Sequence, residues 1–156
     1  MGDSVAIALL GALGLLLVSA GIEDARVREI ANWKNAVIAL FAPAWWWAAG
    51  YTLWPDVGVQ LIVAALVFGL FVAAFALGQM GGGDVKLIGA LALWIPPTAL
   101  VWMLIIMSLI GGLVTIVLLI EARWQAKREP LEIPYGVAIA IAALLWIREP
   151  IFNHFG

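Results

Sequence analysis

Asp24 and Asp84 are the acidic side chains whose surroundings best suit chemistry. Asp24 lies in the polar segment Glu23-Asp24-Ala25-Arg26-Val27-Arg28-Glu29-Ile30-Ala31-Asn32, directly after the first long apolar run. Asp84 closes the glycine run Gly81-Gly82-Gly83 and opens another apolar run, with Lys86 two residues on. If folding brings the two carboxyls together, their repulsion lets one ionise while the other keeps a proton, and such a pair can activate water. Asp84 at a helix start would meet free N–H groups and the positive end of the dipole, whereas Asp24 at a helix end would meet the negative one. The expectation is an ionised Asp84 and a protonated Asp24, although only the pair titrates. The plain alternative is a helix cap at Asp84 and a solvated acid at Asp24. Spacing alone does not establish that the two meet.

The elements that must position them are membrane helices. Of 156 residues 65% are hydrophobic, and Lys+Arg number 8 against 10 Asp+Glu, far more apolar than a soluble domain. Uninterrupted apolar runs predict spans at about Ser4 to Ile22, Ala36 to Trp54, Gly58 to Leu77, Asp84 to Trp94, Thr98 to Ile120 and Gly136 to Ile147. The fold class expected is therefore an all-α integral membrane protein of about six transmembrane helices, in one domain over residues 1–156. The fourth and sixth runs are short. Each is either a crossing that starts in its polar flank or a re-entrant segment, and Pro96-Pro97 ends the fourth.

Basic residues set the expected orientation. Arg26, Arg28, Lys34, Lys86, Arg123, Lys127 and Arg128, seven of the eight, fall in the first, third and fifth loops, and only Arg148 falls elsewhere. By the positive-inside rule those loops face the cytoplasm and both termini lie outside. Residues 1–4 carry Asp3 and no Lys or Arg, so the first run reads as a retained helix and not as a secretory signal.

Several chemistries are excluded or left without support. With no Cys there is no disulfide, thiolate nucleophile or cysteine zinc site, and the single His154 has no second His to join it at a metal. No metal or other cofactor is expected. A net charge of -2 argues against nucleic acid as partner. Of the nine Trp, Trp33, Trp54, Trp94, Trp124 and Trp146 are expected at membrane interfaces, while Trp45-Trp46-Trp47 falls near the middle of the second span. Glu23, Glu29, Glu121, Glu129 and Glu132 could attract a basic ligand, but solvated charges beside Arg and Lys account for most of them.

The residues carry a resemblance. Gly81-Gly82-Gly83-Asp84 is similar to the G-x-G-D signature of polytopic aspartyl proteases. The first loop resembles the D-x-R-x-x-x-I-P-N pattern of type IV prepilin peptidases, with Ala31 in place of Pro, and Pro134-Tyr135-Gly136-Val137-Ala138 resembles their P-x-G-x-A element. The likeness is closest to the small enzymes of Flp (tight-adherence) pilus systems and covers most of the chain. It implies an endopeptidase of the bacterial cytoplasmic membrane that removes the basic leader of a prepilin on the cytoplasmic side, just before the prepilin's single apolar helix. Asp24 and Asp84 take the catalytic positions. Gly81, Gly82, Gly83, Pro134 and Gly136 would shape the site. Arg26 and Asn32 would position the loop or a substrate carbonyl, or only hold the loop. Lys86 would pair with a loop acid, stabilise negative charge, or enforce topology. The resemblance does not extend to the cysteine-bearing methyltransferase domain of larger members, so methylation by this chain is not expected. Ala31 is expected to alter how the chain enters helix two more than the chemistry.

Two other functions compete with this reading. A small proton- or ion-coupled transporter also uses acids in membrane helices, although it would place them nearer the midplane. A non-catalytic pilus assembly factor would not need them.

Overall fold

The computed structural model describes residues 2–124 and 133–155, with side chains for 4–124 and 133–151. The expected Lys127, Arg128, Glu129 and Glu132 lie outside the described residues, as does the side chain of His154. Among the described residues there are six α-helices: α1 (Gly2–Val27), α2 (Asn32–Ala48), α3 (Gly58–Ala76), α4 (Gly82–Ala92), α5 (Pro97–Trp124) and α6 (Tyr135–Phe155). An irregular turn at Leu53–Val57 precedes α3.

Among the described residues three stretches are long and apolar enough to cross a membrane: Ser4–Val27, Leu53–Ala76 and Pro97–Trp124. With 11 residues, α4 rises only about 16 Å, roughly half of a hydrocarbon core. It lies inside the bundle, packed against α3, α2 and α6, while α1 packs on α6 and α2, and α5 on α6. From Asp84 onward every α4 residue but Lys86 is buried.

A helix that stops inside the bundle leaves carbonyls with no helical partner and no water, and Pro96-Pro97 cannot supply N–H donors to them. Side chains do so instead. Gln60 Nε2 donates to the carbonyls of Ala92 and Ile95 at 2.6 and 2.7 Å. Trp46 Nε1 donates to Leu93 O at 2.7 Å and Trp45 Nε1 to Trp94 O at 3.0 Å. Trp94 in turn donates to Ile38 O at 2.7 Å and stacks on Trp45.

These contacts correct the expected Trp pattern. Trp45-Trp46-Trp47 occupies the last turn of α2, because that helix begins at Asn32 and ends at Ala48. Trp94 is 2% exposed and belongs to the core, and Trp146 meets Trp45 edge to face. Trp33, Trp54 and Trp124 are exposed.

The ends of α2 and α3 are closed by Schellman turns, in which a left-handed residue lets two N–H groups reach back to orphan carbonyls. Gly50 and Gly78, at φ 73° and 70°, fill that position. Gly78 N–H donates to Phe75 O and Gln79 N–H to Ala74 O. The second of these turns sends the chain from α3 directly into the glycine run.

Candidate active site

The first loop is held by a network that begins on α1. This helix continues to Val27, five residues past the apolar run, so Glu23 and Asp24 are helical and not in a loop. Arg28 then takes the left-handed conformation at φ 58° and turns the chain. Glu23 Oε2 accepts Lys34 Nζ at 2.8 Å and Ala31 N–H at 3.1 Å, and Lys34 also donates to Ser19 Oγ at 2.7 Å. Glu23 is thus committed to the loop and not to a ligand.

Ala31 has φ -57°, within the range a proline ring imposes. A proline would fit the backbone at this position, but Ala31 keeps an N–H, which Glu23 accepts.

Gly83 fixes how closely this loop approaches α4. A Cβ there would stand 3.3 Å from Ile30 Cβ and 3.4 Å from Ile30 N. None of the three glycines has positive φ, so the run serves close approach and not unusual backbone conformation. Gly81 is the N-cap of α4 and Asp84 the third helical residue, placed to accept the Gly81 N–H, the carboxylate half of a capping box.

Asp24 also meets a helix N-terminus, which its position at the end of α1 does not suggest. Its Oδ2 accepts the Val137 N–H at 3.2 Å, and the Gly136 N–H is directed at the same carboxyl. Both are first-turn donors of α6, which begins at Tyr135, and the Val137 N–H is shared with Pro134 O at 3.2 Å. Pro134, buried, precedes that turn. Gly136 has no room for a side chain: a Cβ would fall 2.8 Å from Asp24 Cγ and from Ile30 Cδ1.

Asp24 and Asp84 are 4% and 7% exposed and line one cleft of about 360 Å³. Arg28, Glu29, Ile30, Asn32 and Gly81 to Gly83 complete its wall. Asp84 lies in the first turn of the short α4, outside the three long apolar stretches. Burial, and after it the Asp24 carboxylate, push the Asp84 carboxyl up to about 7, against the pull of the Gly81 N–H. The expectation that helix-start donors would keep Asp84 ionised is corrected on that account, because desolvation and a like charge outweigh them.

The remaining expected site residues divide. Asn32 lines the cleft, and its Oδ1 accepts Lys86 Nζ at 2.8 Å, so Lys86 is paired with an amide and not with a loop acid. Arg26 is exposed in the last turn of α1 and is not among the cleft-lining residues. Sequence reasoning missed Arg28 and Asn35. Asn35 is buried on α2, where its Nδ2 donates to Gly83 O at 3.2 Å. The signal for it was its place one helical turn after Asn32, on the same face. Among the described residues no group of three or more His, Cys, Asp or Glu could hold a metal ion.

Such a cleft has room for water beside two buried carboxyls, with the glycine run on its wall. The family model described as the type IV leader peptidase family matches residues 9–116. No curated protein and no solved structure matches the chain.

Proposed function

Because the chain belongs to the type IV leader peptidase family, whose activity is that of an aspartyl prepilin peptidase, we propose that Asp24 and Asp84 together activate the water that removes the leader. The observation that carries this is their shared cleft, buried and lined by glycine on one side. One carboxylate takes a proton from water as it attacks the scissile carbonyl, while the protonated partner donates to the carbonyl oxygen. As the tetrahedral intermediate collapses, the first carboxyl returns its proton to the departing amine.

The substrate is the prepilin of a Flp-type pilus, cut before its single apolar helix in the bacterial cytoplasmic membrane. With seven of the eight basic residues in or beside the connections between α1 and α2, α3 and α4, and α5 and α6, the cleft faces the cytoplasm and both termini lie outside. Gly81, Gly82 and Gly83 give the peptide backbone room, Gly136 and Pro134 seat Asp24, and Asn32, held by Lys86, borders the cleft. Arg26 serves the loop and the topology. Both acids lie at helix ends and neither lies in the middle of a span, which favours cutting at the membrane face over carriage across it.

Co-expression with a candidate Flp prepilin tests the reading, with leader removal scored by mass. Loss of the leader peptide is the expected result. An intact prepilin, together with ion-dependent flux in vesicles holding the purified protein, would replace this reading with that of a transporter.

A further inference from the structure

A second cavity opens beside the cleft. α3 packs on α4 and on the turn before it but scarcely touches α2, so α2 and α3 stand apart with α4 as the floor between them. The resulting groove, about 590 Å³, is lined by Ala36 and Ala39 of α2, Leu61, Ala65 and Phe68 of α3, and Ala90 of α4, with the Phe68 ring seated over Gly89. The alanines on both walls let another helix approach closely within a membrane. Asn32 lines both the groove and the cleft, so the two adjoin at that residue.

At their junction is an unanswered acceptor. Asn35 is 5% exposed and lines the groove, and among the described residues its Oδ1 has no hydrogen-bond partner, although its Nδ2 donates to Gly83 O. A buried polar atom left unpaired is costly and rare. An incoming apolar helix has the opposite deficit, because its first N–H groups have no intrahelical acceptor and the bilayer offers none.

We propose that this groove is the binding site for the apolar helix of the substrate, and that Asn35 Oδ1 receives a backbone N–H from that helix's first turn. Asn35 is then a positioning residue: it anchors the point where the substrate helix gives way to the extended segment that reaches Asp24 and Asp84. The inference rests on the leader-peptidase reading, which supplies the helical substrate.

The chain has no Cys, so single cysteines can be introduced without background. Ala39→Cys and Ala65→Cys report on the groove. Leu109→Cys and Leu113→Cys report on the exposed face of α5, where these residues are 69% and 62% exposed. Each is paired in membranes with a prepilin carrying one cysteine in its helix, with Asp84→Asn added to hold the substrate uncleaved. The groove positions should cross-link at least several-fold more than those on α5. Equal yields, or cross-links confined to α5, would overturn the groove. So would enzyme-to-enzyme cross-links at Ala39→Cys unaffected by prepilin, which would put a second copy there.

The role of Asn35 is read with synthetic prepilin peptides in which successive amides of the first helical turn are replaced by esters. One ester should raise KM several-fold for the parent and leave Asn35→Ala unaffected. Equal sensitivity of the two enzymes at every position would reduce Asn35 to a structural residue. Cleavage by the parent is measured in the same assay, and if it is absent the peptidase reading itself fails, whatever the cross-links show.

Discussion

Gly136 and Asp24 share a space that admits only one of them: a Cβ on Gly136 would fall 2.8 Å from Asp24 Cγ. The glycine therefore sets where Asp24 stands, at the point where the first turn of α6 delivers the Val137 N–H to its carboxylate.

Substitutions at glycine should follow that crowding. Gly136→Ala should cost about 1–3 kcal/mol of stability by overpacking and reduce leader removal by about 10²-fold, as a misplacement near 1 Å does. Gly81→Ala meets only the far end of Asp84, at 3.1 Å from Oδ2, and should be milder. Gly69→Ala meets nothing within 4 Å and should leave the rate unchanged. Rates from mass-shift assays, with melting curves in detergent, check the order.

The environment of Asp84 makes stability depend on pH with a definite sign. Its folded carboxyl titrates at about 7 against an ordinary value of 3.8, so the fold favours the protonated form. That contribution is complete below about pH 4 and is lost as pH rises to about 7. Asp84→Asn stays neutral throughout. The stability of Asn relative to parent should therefore grow between pH 4 and 7, by at most about 1.4 kcal/mol per pH unit, and level off above that. A gap that shrinks with rising pH in detergent melts would contradict the burial argument.

The loop network predicts non-additivity. Glu23→Gln leaves the buried Lys34 ammonium without its carboxylate and should lower the melting temperature. Ala31→Pro fits the backbone but removes the N–H that Glu23 accepts. Alone it should be close to neutral or cost about 1 kcal/mol, and in the Glu23→Gln background it should cost less. A double-mutant cycle on melting temperature measures the coupling.

Much of the architecture was legible because a membrane chain leaves few places for charge. The apolar runs located all six helices, and the glycine run with the polar first loop singled out the two segments that the fold brings to one cleft. What stayed hidden depends on contacts distant in the chain. The donors to Asp24 come from Val137 and Gly136 on α6, so helix position on α1 alone misjudged its surroundings. Trp94 read as an interfacial anchor, yet it lies in the core, where it donates to Ile38 O. Asn35 stands just before the second expected span and was not singled out, and only the packing of α2 on α4 buries it beside Gly83.

The central claim is that two carboxyls act as one unit on one water. The most direct measurement compares Asp24→Asn and Asp84→Asn separately with the parent, scoring prepilin leader removal by mass after melting curves show each variant folded. Each substitution should lower the rate by at least about 10³-fold, since residues that act as a unit fail together. A folded variant of either kind that still removes the leader at near-parental rate would contradict the account.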